Sequence, residues 1–325
     1  MEQGIYVNIY NITCGNMIEN SEILVTGGGG FLGRHVVNNL LERGVPKEKI
    51  TIPRSKTTNL TDLDNCKKVV KDKDIVIHIA GRIGGIAFNQ KYPAEIFYEN
   101  AIMGLQLIEA ARNADVKKFV IIGTTCSFPK FAPIPFKEED IWNGYPAEET
   151  APYGIAKKML IVQAQTYKEQ YGFNAISLIP TNLYGKYDNF GSEHSHVIPA
   201  LIERIYKAKI NNMKEVAIWG TGKATREFLY AEDAAEGIIL ATEKYNKTDP
   251  VNLGTGVETS IVDIVNVISK IIGFDGGIRW DSNRPDGTPR RCLDVRKAYK
   301  EFGFEAKTDL EAGLRKTIEW YKSTI

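Results

Sequence analysis

The chain of 325 residues is 43% hydrophobic and 25% charged, which is typical of a globular protein with one large or two closely packed domains. It has 41 Lys plus Arg and 40 Asp plus Glu, a balance that argues against a nucleic-acid-coating or basic membrane-binding protein. Its four cysteines, at positions 14, 66, 126 and 292, form no CxxC pair. This spacing disfavours disulfides and metal binding and predicts a cytoplasmic location.

Alternating strand and helix patterns begin after an N-terminal segment, residues 1–21, that has no signal-peptide pattern. We expect this segment to be a disordered or loosely packed extension. Short apolar runs predict strands at residues 22–26, 49–52, 74–79, 118–122 and 175–179. Helical periodicity predicts a helix that ends at residue 43 and helices over 93–113 and 151–172. This alternation predicts a doubly wound parallel sheet, a Rossmann-like α/β fold.

The pattern changes after residue 180. Helix or strand signals recur at residues 198–208, 215–219, 261–272 and 310–321, and residues 280–291 form a polar stretch rich in Pro and Gly that predicts a loop. The sequence therefore predicts a Rossmann domain over residues 22–180. Residues 181–325 are predicted to form mainly a smaller substrate-binding domain, with some segments that return to the first domain.

A glycine-rich loop joins the first strand to the first helix. Gly27, Gly30 and Gly33 have the spacing G-x-x-G-x-x-G. Glycines allow a tight turn and the close approach of a pyrophosphate, and the bare amides at a helix N-terminus, here at Phe31 and Leu32, attract an anion. A structural turn also needs glycine, but the flanking strand and helix favour a dinucleotide site.

The residues after the second strand predict which dinucleotide binds. An acid at that point would bind an unphosphorylated ribose, whereas arginine accommodates a 2′-phosphate. The chain has Arg54 and Lys56 there, and no acid before Asp62, so the pattern favours NADP(H) over NAD(H). The alternative is that both cations belong to a solvated loop face, where charged residues are common.

A tyrosine and a lysine predict the acid–base chemistry. Tyr153 and Lys157 are four residues apart and therefore share one helix face. A nearby cation lowers the pKa of a phenol, which makes it a usable acid or base. The Thr124 hydroxyl, at the end of a predicted strand, is a candidate to hold a substrate carbonyl beside the phenol; its alternative role is to terminate the strand.

These motifs resemble the extended short-chain dehydrogenase/reductase family. A narrower set of stretches resembles the GDP-L-fucose synthase branch, the GDP-4-keto-6-deoxy-mannose 3,5-epimerase/4-reductases. Residues 82–86 read RIGGI, 126–130 CSFPK, 180–185 PTNLYG, 188–190 DNF, 195–200 SHVIPA, 219–222 WGTG, 226–228 REF and 285–290 PDGTPR. The resemblance covers nearly all of residues 22–321.

The resemblance implies an enzyme that epimerises C3 and C5 of a nucleotide-linked 4-keto sugar and then reduces C4 with NADPH. It implies Cys126 as the epimerisation base and His196 as its partner acid, with Thr124, Tyr153 and Lys157 as the reductase triad. Besides the glycine loop, Arg54, Lys56 and Asp62, it implies cofactor contacts at Tyr153, Lys157, Ala80, Gly81, Pro180, Asn182, Leu183 and His196. It implies GDP-sugar contacts at Asn182, Arg204, Trp219, Arg226 and Asp286.

Two departures from that family leave the identity of the sugar open. The family usually has serine at the position of Thr124, and threonine keeps the hydroxyl. Ser127 and Phe128 replace a more apolar residue followed by tyrosine, which predicts a reshaped pocket beside Cys126. A second histidine, His194, lies two residues before His196.

Two alternatives remain at this stage. One is a related epimerase or reductase that acts on another nucleotide-linked 4-keto sugar. The other is a non-catalytic, redox-sensing NADP binder, against which the presence of both Tyr153 and Lys157 argues. The expected partners are a nucleotide sugar, with GDP favoured, and a second copy of the chain in a homodimer; neither nucleic acid nor membrane is expected.

Overall fold

The computed structural model describes residues 17–191, 195–283 and 287–325. The strands are β1 (Ile23–Thr26), β2 (Ile50–Thr51), β3 (Ile75–His78), β4 (Lys118–Ile122), β5 (Ala175–Pro180), β6 (Asn182–Tyr184), β7 (Glu215–Trp219), β8 (Thr225–Tyr230), β9 (Val251–Leu253), β10 (Glu258–Ser260) and β11 (Gly277–Asp281). The helices are α1 (Met17–Asn20), α2 (Phe31–Glu42), α3 (Leu63–Val70), α4 (Ile86–Lys91), α5 (Pro93–Asn113), α6 (Ala151–Tyr171), α7 (Val197–Ile210), α8 (Ala231–Lys244), α9 (Ile261–Ile272), α10 (Arg296–Phe302) and α11 (Leu310–Ser323).

A six-stranded parallel sheet with the order β2-β1-β3-β4-β5-β9 forms the centre of the fold. The residues of β1, β3, β4 and β5 are buried, as expected for strands covered by helices on both faces. The doubly wound α/β fold is thus confirmed. The strand order reverses between β1 and β3, and ligands of such sheets bind outside the carboxyl ends of the strands at this switch point.

The second half of the chain adds two small sheets and also contributes to the large one. Strand β8 pairs with β6 and β10, and β7 pairs with β11, around a second apolar core. Strand β9 completes the six-stranded sheet. Helix α8 lies against α2, where Arg43 donates to Glu236 and Glu243 at 2.7 and 3.1 Å. Strand β9, helix α8 and also helix α10, whose Ala298 and Phe302 belong to the main core, therefore lie with the first half.

Three local expectations need correction or limits. Most of the expected N-terminal extension lies outside the described residues, but α1 is ordered, and Ile18 is 3% exposed and packs into the main core. The predicted loop at 280–291 begins later than expected, because Trp280 and Asp281 pair with β7. Among the described residues, Cys66, Cys126 and Cys292 are free thiols, and no helix is long and apolar enough to cross a membrane.

Candidate active site

The glycine loop turns tightly at the carboxyl end of β1. Gly27 has a φ of +71°, and a Cβ there would lie 2.8 Å from the amide nitrogen of Ala80, just after β3. A Cβ on Gly33 would overlap the Gly27 carbonyl, so α2 can begin directly against the loop only with glycine at this position. The loops after β1 and β3 therefore meet at the switch point.

The first turn of α2 presents backbone amides to this loop. Gly30 is the N-cap of α2, and its amide donates to the Gly27 carbonyl at 2.9 Å. The first amides of a helix have no intrahelical partner and attract anions. The Leu32 side chain is buried in the core and Phe31 is half-buried, so their backbone amides are the groups that can meet a phosphate.

The predicted ribose-side residues follow β2. Arg54 and Lys56 are both exposed, and the Arg54 guanidinium lies where a Cβ on Gly29 would be, directly over the glycine loop. Asp62 is the N-cap of α3 and accepts a hydrogen bond from the Asp64 amide at 2.8 Å. Arg54 thus lies against the glycine loop, whereas the Asp62 carboxylate is used to cap α3.

Thr124 and Cys126 lie on a short turn just after β4. The Thr124 hydroxyl accepts from the Cys126 amide at 3.1 Å, which caps a 3₁₀ turn at Thr125–Ser127. Ser127 is 1% exposed and donates to the Gly154 carbonyl at 2.9 Å. This hydrogen bond attaches the cysteine turn to the start of α6.

Ser127 and Phe128 are buried beneath the turn that carries Cys126. Both side chains are 1% exposed, and the Phe128 ring stacks on Phe136 with centroids 5.0 Å apart. They therefore support the turn that carries Cys126, and their effect on the sugar pocket beside it stays a prediction.

Tyr153 lies beside Cys126 and close to Lys157 on α6. The Tyr153 ring is 8% exposed and packs with Phe88, Ile96 and the Cys126 side chain. Burial, together with the nearby Cys126 thiol, raises the pKa of Tyr153. The expected lowering of this pKa by Lys157 is therefore wrong for this structure, since desolvation of the phenolate is the largest influence on it. A protonated phenol suits a group that donates a proton.

Lys157 is a buried cation beside the loop that follows β3. It is 2% exposed, and burial lowers its pKa to about 8. A Cβ on Gly81 would lie 3.9 Å from the Lys157 ammonium. Asn100 holds this loop through both backbone groups of Arg82, at 3.0 and 2.9 Å. The predicted residues Ala80, Gly81 and Lys157 thus lie together.

Three further predicted residues lie between the two halves. Pro180 ends β5, and Asn182 and Leu183 form β6 beside β8. The Asn182 amide donates to the Glu227 carbonyl at 2.9 Å, and Leu183 packs against the main core. This hydrogen bond from the side-chain amide fixes the orientation of the Asn182 side chain relative to β8.

His196 enters from the second half of the chain. It is the N-cap of α7 and partly buried, and burial lowers its pKa. The positive end of a helix dipole acts in the same direction. Within the described residues His196 makes no side-chain hydrogen bond to Cys126 or Tyr153, so the structure does not join these three groups directly. His194 lies outside the described residues.

The predicted sugar-nucleotide contacts include a stacked pair on the second half. Trp219 is 58% exposed, and the Arg204 guanidinium lies 5.2 Å from its ring centroid and donates to the Ala217 carbonyl at 3.0 Å. Arg226 on β8 donates to the Thr225 carbonyl at 2.7 Å. Asp286 lies outside the described residues. An exposed indole with a guanidinium on its face forms a rigid surface that favours planar and anionic groups.

Sequence reasoning missed the residues that hold these groups in place. These supporting residues are Asn100, Ser127 and Gly154. Each has a feature in the sequence that could have indicated its role. Asn100 is a polar residue on the buried face of an apolar helix, and Ser127 directly follows the cysteine. Gly154 adjoins the tyrosine, and a Cβ there would overlap the Cys126 carbonyl.

We predict that Gly154→Ala lowers both activities expected of this site by at least about tenfold, because the new methyl group collides with the backbone that carries Cys126. Gly277→Ala in β11 is the control, since its methyl group would make only ordinary contacts, 3.7 Å from the Glu215 side chain and 3.9 Å from the Lys214 carbonyl. Circular dichroism checks folding and steady-state assays check activity. Equal activity of the two variants would contradict this support role.

The glycine loop, the switch point and the Tyr153–Lys157 pair define a dinucleotide-binding α/β protein. The sequence model of the NAD dependent epimerase/dehydratase family matches residues 23–254, and the chain belongs to this family. The GDP-L-fucose synthase of Sinorhizobium fredii is 37% identical over 312 residues, which cover 95% of this chain and 98% of that protein.

Solved structures show the same architecture. A GDP-6-OMe-4-keto-L-xylo-heptose reductase from C. jejuni matches with a TM-score of 0.88 and 28% identity, over 94% of this chain and 99% of that one. A GDP-mannoheptose C4 reductase from Campylobacter jejuni, with NADP bound, matches with a TM-score of 0.85 and 29% identity, over 94% and 99%. The chain thus has the overall fold of known GDP-sugar reductases.

Proposed function

We propose that this protein converts GDP-4-keto-6-deoxy-mannose, or a close analogue, to GDP-L-fucose by 3,5-epimerisation and NADPH-dependent 4-keto reduction. The observation that carries the proposal is the placement of Cys126 against Tyr153, within one cluster, at the carboxyl end of the sheet. An epimerisation base beside the proton donor of a reductase suits a substrate that undergoes both reactions in one site.

NADP(H) fits the residues that would hold it. The glycine loop and the first amides of α2 suit a pyrophosphate, and Arg54 over the loop suits a 2′-phosphate. When bound, NADPH supplies the hydride for C4. Thr124 and Tyr153 hold the substrate carbonyl, Tyr153 donates the proton, and Lys157 contributes positive charge behind the developing alkoxide.

Epimerisation requires only the chain's own acid and base. The hydrogens on C3 and C5 are acidic because the C4 ketone stabilises the resulting enolate. Cys126 removes such a proton, and His196 returns a proton to the other face of the ring. The lowered pKa of His196 makes its imidazolium a stronger acid and leaves a smaller fraction protonated at pH 7.

The GDP portion is assigned to the second half of the chain. Arg204 and Arg226 would bind the diphosphate, and the exposed Trp219 ring would contact the nucleotide. In this division residues 22–180, with β9, serve the cofactor, and most of residues 181–325 serve the sugar nucleotide.

Product analysis tests the proposal directly. The protein is incubated with NADPH and 4-keto sugar nucleotides that differ in base and in sugar configuration, and NMR assigns the product stereochemistry. We expect inversion at C3 and C5 together with a reduced C4. Reduction without inversion would instead support a related 4-reductase, and an absence of turnover on all substrates would contradict the proposal.

We further propose a cytoplasmic homodimer. Helices α5 and α6 are neighbours and each carries a partly exposed apolar stripe at helical spacing, formed by Tyr98, Ile102 and Leu105 and by Ile155, Met159 and Val162. The free thiols suit a reducing compartment. Sedimentation of Val162→Lys beside the parent protein tests the dimer, because Val162 is 44% exposed in the single chain and a charge buried there at the interface would shift the protein to monomer.

A further inference from the structure

Two arginines from different elements converge on one glycine of the dinucleotide loop. Arg34, in the first turn of α2, donates through Nε to the Gly29 carbonyl at 3.1 Å. Arg54, from the loop after β2, places its guanidinium where a Cβ on Gly29 would lie. Gly29 does not have a positive φ, so the backbone turn does not require glycine at this position. What the missing side chain provides is room for the Arg54 guanidinium.

Arg34 is held in place but keeps donors available. Its guanidinium lies 5.1 Å from the centroid of the Tyr187 ring, and its neighbour His35 contacts the carbonyl of Lys186 at 2.9 Å. Both arginines are exposed, and within the described part of the chain neither forms a salt bridge. The Arg34 terminal nitrogens and the Arg54 guanidinium therefore remain free to bind an anion.

Two neighbouring guanidinium groups without carboxylate partners repel each other, and a dianion between them relieves that repulsion. Guanidinium matches the geometry of phosphate oxygens and hydrogen-bonds strongly to them. Gly29 lies within the loop assigned to the pyrophosphate, on the side reached by Arg54. NADP(H) bound on this loop would carry one phosphate besides the pyrophosphate, on the 2′ position of its adenosine ribose, and this phosphate is the dianion that the two arginines suit.

We propose that Arg34 is the second cation of the 2′-phosphate site and that Gly29 determines cofactor specificity because it carries no side chain. This inference rests on the NADP(H) dependence of the proposed function. It adds a residue on α2 to the cations after β2, and it explains why the glycine run includes a position that the backbone turn does not require.

The test measures binding of 2′,5′-ADP, 5′-AMP, NADPH and NADH by calorimetry at one ionic strength, because salt screens these contacts. Arg34→Gln retains a side chain able to donate to the Gly29 carbonyl but loses the charge. We expect it to weaken 2′,5′-ADP and NADPH binding by about 10- to 100-fold, the range of a charge-assisted hydrogen bond, and to change 5′-AMP and NADH binding less than about threefold. Asn38→Ala, one turn further along α2, is the matched control.

Gly29→Ala tests the second part. Its methyl group would displace the Arg54 guanidinium, so the NADPH preference should fall in the parent protein and remain unchanged in an Arg54→Ala background. If Arg34→Gln binds 2′,5′-ADP as the parent does, or weakens all four ligands equally, the role of Arg34 is wrong. If Gly29→Ala weakens NADH as much as NADPH, its specificity role is wrong.

The parent protein separates this inference from the proposed function. A parent that prefers NADPH while Arg34→Gln keeps that preference overturns only the inference. A parent that prefers NADH overturns both the inference and the cofactor assignment.

Discussion

Tyr153→Phe is expected to lower 4-keto reduction by about 10²- to 10⁴-fold, the contribution of a positioned proton donor. The phenol proton is needed when the C4 alkoxide forms. A tyrosine phenol carries that proton at neutral pH, and burial raises the pKa of Tyr153 further. The phenylalanine ring retains the packing against Phe88 and Ile96, so the fold should persist. Single-turnover NADPH oxidation, followed by absorbance, measures the step.

The other half of the reaction supplies the internal control. Exchange of the C3 and C5 hydrogens with deuterated water should continue in Tyr153→Phe, because Cys126 and His196 carry out that proton transfer and the Thr124 hydroxyl still holds the C4 carbonyl. Tyr167→Phe, on the same helix, removes a hydroxyl that donates to Glu109 at 2.9 Å away from the site, and it should reduce at the parent rate. A Tyr153→Phe variant that also reduces at the parent rate would show that another group donates the proton.

The main strands and long helices follow from local pattern. Apolar β-branched runs of four to six residues predict β1, β3, β4 and β5, and helical periodicity predicts α5, α6 and α9, because these elements bury a continuous surface. Helix α8 was missed. Its buried face consists largely of alanines and of Gly237, which packs under Phe304, so it has little contrast with its exposed face.

Long-range pairing is harder to derive from a sequence. The three residues of β9 carry no sign that they join β5 and not a sheet of the second half. Buried Glu227 gives a similar case: it accepts backbone hydrogen bonds from Thr255, Gly256 and Leu293 at 2.6–2.7 Å and so fastens separate loops together. Only the folded chain shows these contacts.

In the candidate site, too, some features follow from local sequence and others only from the folded chain. The spacing of Tyr153 and Lys157 is a property of one helix, and the sequence therefore predicts their proximity. The direction of the Tyr153 pKa shift depends on burial by Phe88 and Ile96, which come from other segments. The approach of Arg34 and Arg54 to Gly29 likewise depends on how two loops fold over one another.

Epimerisation distinguishes this enzyme from an ordinary reductase, and its loss should be separable from reduction. Cys126→Ser and His196→Asn are each expected to slow exchange of the C3 and C5 hydrogens with deuterated water by about 10²- to 10⁴-fold. Serine is too weak a base at neutral pH, and asparagine cannot supply a proton. Mass spectrometry of the sugar nucleotide, incubated without NADPH, measures the exchange.

Reduction should persist in both variants and give an unepimerised product, because Thr124, Tyr153 and Lys157 remain in place. The serine hydroxyl of Cys126→Ser occupies nearly the same volume, and the turn is still capped by Thr124 through the backbone amide at position 126. Cys66→Ser is the matched control, since that buried thiol donates to the Leu60 carbonyl at 3.2 Å on another part of the fold. If Cys126→Ser and His196→Asn exchange deuterium as fast as Cys66→Ser, then Cys126 is a packing residue beside Tyr153, and the protein is a reductase without epimerase activity.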